Sequence, residues 1–358
     1  MQYYLRFHLA LLVVLDHLLP GYFSTIGTYA VCGFYVISGY VITKVLNERY
    51  WKLDNGFRKF WINRALRLFP TFFVASVCGF LLAALAPSVS DALGVGIVLP
   101  NSEDGAALLA KAGFDPEWWP AFYIPSFFLI GSQSPFVWES PIRFTPGSWS
   151  LNVEVYYYMI LSLGVAGAAA SRRFFGFSLV LLGAITANLF LGRLGMNYHG
   201  QGFDHLGVND WMIFYKSFFG TTFFFALGSL CHFSGKLELR PPVAMVIVAA
   251  TLTFPFVIAS TMEMAIFLRL IFGLLVAACL LTFEDSTSNR AVRFLGELSY
   301  PMFLTHWFAA GLVLSLTPLV LNSPAFLIVS LMVAMLLSSG IVLWIEAPIR
   351  RVRARFRT

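Results

Sequence analysis

The stretch FLIVSLMVAMLLSSGIVLWI, residues 326–345, contains no charged side chain. A helix of about 20 apolar residues is what the hydrocarbon core of a bilayer demands, and comparable runs recur along the whole chain. Of the 358 residues 58% are hydrophobic and only 12% charged, whereas a soluble domain carries about twice that charge. The mean hydropathy is +0.76. Such a chain has to fold in lipid. The strand-like alternation of polar and apolar residues that a membrane barrel requires is absent. The expected fold is therefore all-α, a polytopic membrane bundle.

Apolar length and the polar breaks between runs predict about ten spans, over 3–24, 27–47, 67–88, 148–170, 174–192, 211–231, 241–260, 263–283, 296–317 and 324–345. Basic residues cluster on alternate connections. Arg49, Lys52, Arg58, Lys59 and Arg64 follow the second span, Arg172 and Arg173 the fourth, Lys236 and Arg240 the sixth, and Arg290 and Arg293 the eighth. Five arginines between Arg350 and Arg357 form the tail, while Lys111, Arg143 and Arg193 are the main basic residues elsewhere. Since basic loops stay inside, both termini are expected in the cytoplasm. This pattern accounts for the formal net charge of +6 without nucleic acid. Cys32, Cys78, Cys231 and Cys279 all lie in apolar segments, which suggests neither a disulfide framework nor a zinc site. The first run shows no cleavage site and leads directly into the second, so it is expected to remain as a helix. Residues 1–358 read as one membrane domain. Its longest connection, 89–147, is acidic and expected on the outer side, with a short apolar piece at 121–130 that reads as re-entrant or interfacial.

Ionisable residues inside apolar runs are costly and mark candidate function. Arg6 and His17 are eleven residues apart, which returns them to nearly the same helix face about 16 Å apart. That reading sets His17 near mid-membrane, with Arg6 toward the cytoplasm. Asp16 is turned about 100° from His17. Arg64 and Arg67 form an i,i+3 pair, and guanidinium groups grip phosphates in a forked geometry. Ser150 and Glu154 share a face of the fourth run, and His306 lies well inside the ninth. Each also has a plainer reading: arginines as topology anchors, buried histidines and acids as interhelical bridges. Arg269 has the same two readings. His199 and His205 sit among ligand-type residues but lack the spacing of a metal site, so no metal is expected.

Six phrases in order resemble the acyltransferase-3 family of bacterial membrane O-acyltransferases. The family opens with Arg, ten residues and His, here Arg6 and His17. It continues with a phrase like FFVLSGFLIT, here FYVISGYVIT, which includes Ser38 and Gly39. An Arg-x-x-Arg-x-x-Pro pattern follows in Arg64, Arg67 and Pro70. WSLxVExxFY becomes WSLNVEVYYY with Trp149, Ser150 and Glu154; LGxxSYxxYLxH becomes LGELSYPMFLTH ending at His306; and a closing Glu-x-Pro phrase becomes IEAPIRR. Val155 stands where relatives often add a second acid, and Pro301 and Phe303 also depart from the usual pattern. Many relatives carry a trailing soluble esterase-like domain, which is not expected in this chain.

The resemblance implies a bacterial inner-membrane, multi-pass enzyme embedded among membrane lipid. It would transfer an acyl group, most often acetyl from acetyl-CoA, to a hydroxyl of an envelope glycan or other sugar-containing acceptor. Arg6, Arg64 and Arg67, with Ser38, would hold the acyl-CoA. His17 would act as general base, as suits an imidazole with an ordinary pKa of about 6.5. Glu154 or Asp16 would orient the ring, and His306 would assist or bind the acceptor. Trp118 and Trp119 in the long outer connection are candidates to stack on sugar rings. The competing class is a transporter or flippase that uses Asp16, His17 and Glu154 as a proton relay, although no inverted repeat is visible.

Overall fold

A computed structural model describes residues 2–23, 25–93, 117, 124, 126–129, 144–193, 215–257, 262–283 and 289–356. Among these the structure is helices and their connections, without a strand. The first half holds α1 (Gln2–Leu18), α2 (Pro20–Phe23), α3 (Ile26–Glu48), α4 (Gly56–Leu85), α5 (Pro87–Ala92) and α6 (Ser148–Ile160). The second half holds α7 (Ala168–Arg193), α8 (Phe218–Phe233), α9 (Pro241–Val257), α10 (Met262–Thr282), α11 (Arg290–Leu316), α12 (Pro324–Ile341) and α13 (Ala347–Ala354). The helix starts follow local chemistry. Ser217 accepts from the Gly220 amide at 3.0 Å, Asn289 from the Ala291 amide at 2.9 Å, and Ser323, ahead of Pro324, from the Phe326 amide at 3.2 Å. Each satisfies a donor that the first helical turn leaves free.

Four segments are long and apolar enough to cross a membrane unaided: Ile26–Lys52, Gly56–Leu85, Ala168–Ala187 and Pro324–Ala354. Phe218–Cys231, Pro241–Val257 and Phe267–Thr282 are shorter apolar helices. The expectation of about ten spans counts these together with α1, α6 and α11. Val246, Val257, Met332, Leu336 and Trp344 are largely exposed on the outer helices. An apolar surface of that kind fits a lipid environment and would be a liability in water.

Several boundaries differ from the sequence reading. The first helix stops at Leu18, so His17 lies in its last turn rather than near its middle. Pro20 cannot donate a backbone hydrogen bond and instead opens a new short helix. The third long helix starts at Gly56, about three turns before the apolar run begins. Gly56 is required there, because a Cβ would meet the Tyr50 carbonyl oxygen at 1.7 Å. The run 148–170 is not one helix: α6 passes into a π-helical turn at Leu161–Val165, where Gly164 takes φ 114°, and α7 begins beyond it. Most of the 89–147 connection lies outside the described residues, as do Lys111, Trp118, Trp119, Arg143, His199 and His205. Of the 121–130 piece, Phe127 packs against Phe80 and Phe144 (6.0 and 4.5 Å between centroids), on the flank of α4.

The bundle is built around α1 and α3, which run antiparallel. Asp16 abuts Gly27 at the start of α3, and Leu9 abuts Gly33. On one side α3 packs most extensively on α8, and also on α10; on the other, α1 packs on α11, which packs on α12 and α4. Among the described residues three apolar cores result, one centred on α3, α8 and α10, one on α1, α11 and α12, and a smaller one where the end of α3 meets α4 and α6. The polar interior lies between α1, α3, α4, α6 and α11.

Candidate active site

Residues from five helices, α1, α3, α4, α6 and α11, wall a cavity between them. One face of α3 lines it from Val31 through Phe34, Tyr35 and Ser38 to Ile42, a rise of about 16 Å. Arg6 from α1 and Arg64 and Arg67 from α4 contribute the positive charge, and α6 contributes Ser150 and Glu154. Glu154 is the one carboxylate among the described lining residues, where it accompanies three guanidinium groups. Arg64 is buried, with its Nε unpartnered among the described residues and its guanidinium 5.6 Å from the Phe60 ring. An orphaned, buried cationic donor beside two further arginines is suited to an anion with several oxygens.

Glu154 is fixed within this wall. It accepts from Ser38 Oγ at 2.6 Å and from the Tyr158 hydroxyl. Tyr158 is four residues along the same helix, a spacing that brings side chains together. Read from sequence, the three tyrosines of WSLNVEVYYY suggest only an interfacial belt. The i,i+4 spacing from Glu154 was the available signal for Tyr158. Tyr300 braces the opposite wall by donating to the Leu68 carbonyl at 2.9 Å, next to Pro70.

Away from the arginines the cavity narrows onto apolar side chains. Phe34 and Phe303 meet edge to face at 6.3 Å and close this end with Val31 and Leu151. The Phe303 ring has room because residue 147 is glycine; a Cβ there would come within 2.9 Å of the ring. Neither His17 nor His306 is among the lining residues. Both lie just past Phe303, about one helical turn farther along.

The two histidines belong to parallel helices. Tyr3 of α1 packs on Gly296 of α11 near their starts, and His17, in the last turn of α1, meets His306 just past the middle of α11. His17 Nδ1 is 2.9 Å from His306 Nε2. The rings are within 8° of coplanar, with centroids 5.1 Å apart, so they meet edge to edge in an N–H···N bond. His306 Nδ1 lies 3.2 Å from the Met302 carbonyl oxygen. A carbonyl only accepts, so His306 Nδ1 carries the hydrogen. In the neutral ring its Nε2 then offers a lone pair, and His17 Nδ1 donates to it. His17 Nε2 is left as the basic nitrogen of the pair. Trp307 packs on His17 with centroids 4.7 Å apart. The Met302 carbonyl and Trp307 carry no sequence signal for this role.

The structure therefore joins some predicted residues and separates others. Arg6, Arg64, Arg67, Ser38 and Glu154 share the cavity wall, and His17 is joined to His306. Among the described residues the hydrogen-bond partner of the His17 ring is His306, and the two carboxylates are engaged elsewhere. Glu154 is held by Ser38 and Tyr158, and Asp16 faces the backbone amides of Thr25, Ile26 and Gly27 at the start of α3. An acid at a helix N-terminus satisfies free amides and complements the helix dipole. Asp16, His17 and Glu154 thus form no contiguous relay among the described residues. Arg269 is also outside the cavity, donating from Nε to Thr28 Oγ1 at 3.0 Å. The four cysteines are free, and no group of three or more metal-type side chains comes together among the described residues.

The described residues thus form a helical membrane protein with a hydrogen-bonded histidine pair beside a cationic chamber. The acyltransferase-3 family model, described as an acyltransferase domain, matches residues 4–344, nearly the whole chain. The chain belongs to this family, and its broad activity is that of a membrane acyltransferase. No curated protein and no solved structure matches it.

Proposed function

We propose that this protein transfers an acyl group, acetyl by preference, from cytoplasmic acyl-CoA to a hydroxyl of an envelope glycan or other sugar-containing acceptor at a bacterial inner membrane. The reading includes about ten spans with both termini in the cytoplasm, and a 89–147 outer connection that recognises the acceptor. One observation carries it: a chamber with three arginines at one end stops one helical turn short of a hydrogen-bonded histidine pair.

In this mechanism Arg6, Arg64 and Arg67 hold the phosphates of the donor. The pantetheine arm follows the α3 face toward Phe34 and Phe303, and displacement of the Phe303 ring lets the thioester reach His17. His17 Nε2 takes the proton from the acceptor hydroxyl as its oxygen attacks the thioester carbonyl. The tetrahedral intermediate collapses by breaking the C–S bond, and the departing thiolate recovers the proton from His17 Nε2. The imidazolium formed in between is stabilised through Nδ1–H by His306. Positioned general-base catalysis of this kind contributes about 10²–10⁴-fold. A proton-coupled carrier needs connected acids and bases, and the separation of Asp16, Glu154 and His17 favours no such reading.

The test is His17→Ala in membranes holding normal amounts of protein, with label followed from acyl-CoA into envelope glycan. Transfer is expected to fall by about 10² or more. Unchanged transfer would overturn the mechanism.

A further inference from the structure

Tyr35 is buried in the chamber wall with its hydroxyl unpartnered. The residue is 2% exposed and lines the cavity. Its ring is stacked on Phe225 at 4.7 Å, and Phe225 is stacked in turn on Tyr157 at 3.9 Å, so the ring is held in place. No hydrogen-bond partner among the described residues reaches its hydroxyl. Three other tyrosines near the chamber are satisfied: Tyr157 by the Phe218 carbonyl at 2.5 Å, Tyr158 by Glu154, and Tyr300 by the Leu68 carbonyl at 2.9 Å. A buried hydroxyl without a partner is destabilising. Phenylalanine would fill the same space without that cost. The arrangement is that of a donor waiting for a ligand atom.

The position of Tyr35 narrows what that atom is. On α3 it stands between Ser38, which is tied to Glu154, and the apolar closure of Val31 and Phe34. Side chains lean toward the N-terminus of their own helix, so the Tyr35 hydroxyl leans toward the closed end and away from the arginines. The partner is therefore a neutral acceptor on the part of the ligand that lies in the apolar half. On the acyl-CoA reading, on which this inference rests, that part is the pantetheine arm, whose polar acceptors there are carbonyl oxygens. We propose that the Tyr35 hydroxyl donates a hydrogen bond to a carbonyl oxygen of the pantetheine arm, making Tyr35 a positioning residue that registers the donor along the chamber.

The experiment measures binding of two probes, coenzyme A and adenosine 3′,5′-bisphosphate, to the purified full-length protein and to Tyr35→Phe. The second probe keeps phosphates and adenine but lacks the arm. Tyr35→Phe is expected to weaken coenzyme A by about five- to tenfold while leaving the bisphosphate within about twofold. Without ligand, the variant is expected to melt at the same temperature or higher, because an unsatisfied hydroxyl has been removed. Equal coenzyme A affinity in the two proteins overturns the proposal. So does an equal loss for both probes, which marks a general disturbance of the site. If folded wild-type protein binds neither probe, the donor reading itself fails. Arg64→Ala marks that reading separately, since it should weaken both probes.

Discussion

His306 matters to His17 through one lone pair. Its Nδ1–H is committed to the Met302 carbonyl at 3.2 Å, so its Nε2 accepts from His17 at 2.9 Å. A side chain able to accept at the same place should retain that function. Gln reaches about as far as the imidazole Nε2, so His306→Gln is expected to keep transfer within about tenfold of wild type, whereas His306→Ala loses about 10². Initial rates at matched protein levels distinguish them, and an equal loss in both variants would remove the orienting role. Asp16 is the contrasting case. It is adjacent to His17 in sequence yet serves the start of α3, so Asp16→Asn is expected to leave transfer within about threefold and to cost about 0.5–2 kcal/mol of stability. A folded Asp16→Asn protein without activity would return the acid to the chemistry. Sequence periodicity correctly separated the faces of Asp16 and His17, because a helix fixes angle from residue count. It could not name the partner of His17, because that partner is 289 positions away and pairing between helices is a tertiary matter.

The helices themselves were legible where lipid dictates them and less so where backbone geometry does. Apolar length found the main membrane helices but placed the start of α4 too late, because its first turns carry basic residues whose buried face includes Phe60 and Asn63. The break after α6 depends on the left-handed conformation of Gly164, which hydropathy does not register. The closest helix contact was likewise hidden. A Cβ on Gly228 would lie 2.0 Å from the Val36 carbonyl oxygen, and one on Gly39 would lie 2.2 Å from that of Phe225. Glycines at both positions let α3 and α8 approach backbone to backbone, as small residues do in membrane bundles. Gly228→Ala must push these helices apart and is expected to cost about 1–3 kcal/mol. Gly176→Ala on α7, where nothing lies within 4 Å, is expected to be neutral or to add about 0.5–1 kcal/mol. Thermal unfolding in detergent checks both, and the same shift in both would rule out close packing as the cause.

At the scale of the whole molecule, the proposed chemistry requires the arginine end of the chamber to face the compartment that supplies the donor. The starts of α1, α4 and α11 and the C-terminal helix lie toward that end, which Arg353 helps to close by donating to Asn63 Oδ1 at 3.0 Å. The same end gathers the basic clusters, so the positive-inside bias and the chamber agree on direction. Two single-cysteine substitutions test it. Gly235→Cys lies in the exposed connection between α8 and α9, and Val320→Cys is 72% exposed between α11 and α12 at the opposite end. An impermeant maleimide applied to intact spheroplasts is expected to label Val320→Cys and to reach Gly235→Cys only after the membrane is opened. The native cysteines serve as a measurable background, since Cys32, Cys231 and Cys279 are buried. The reverse labelling would point the arginines outward, away from any cytoplasmic acyl-CoA. The donor would then have to be an anionic molecule of the outer compartment, even if His17 and His306 kept their catalytic roles.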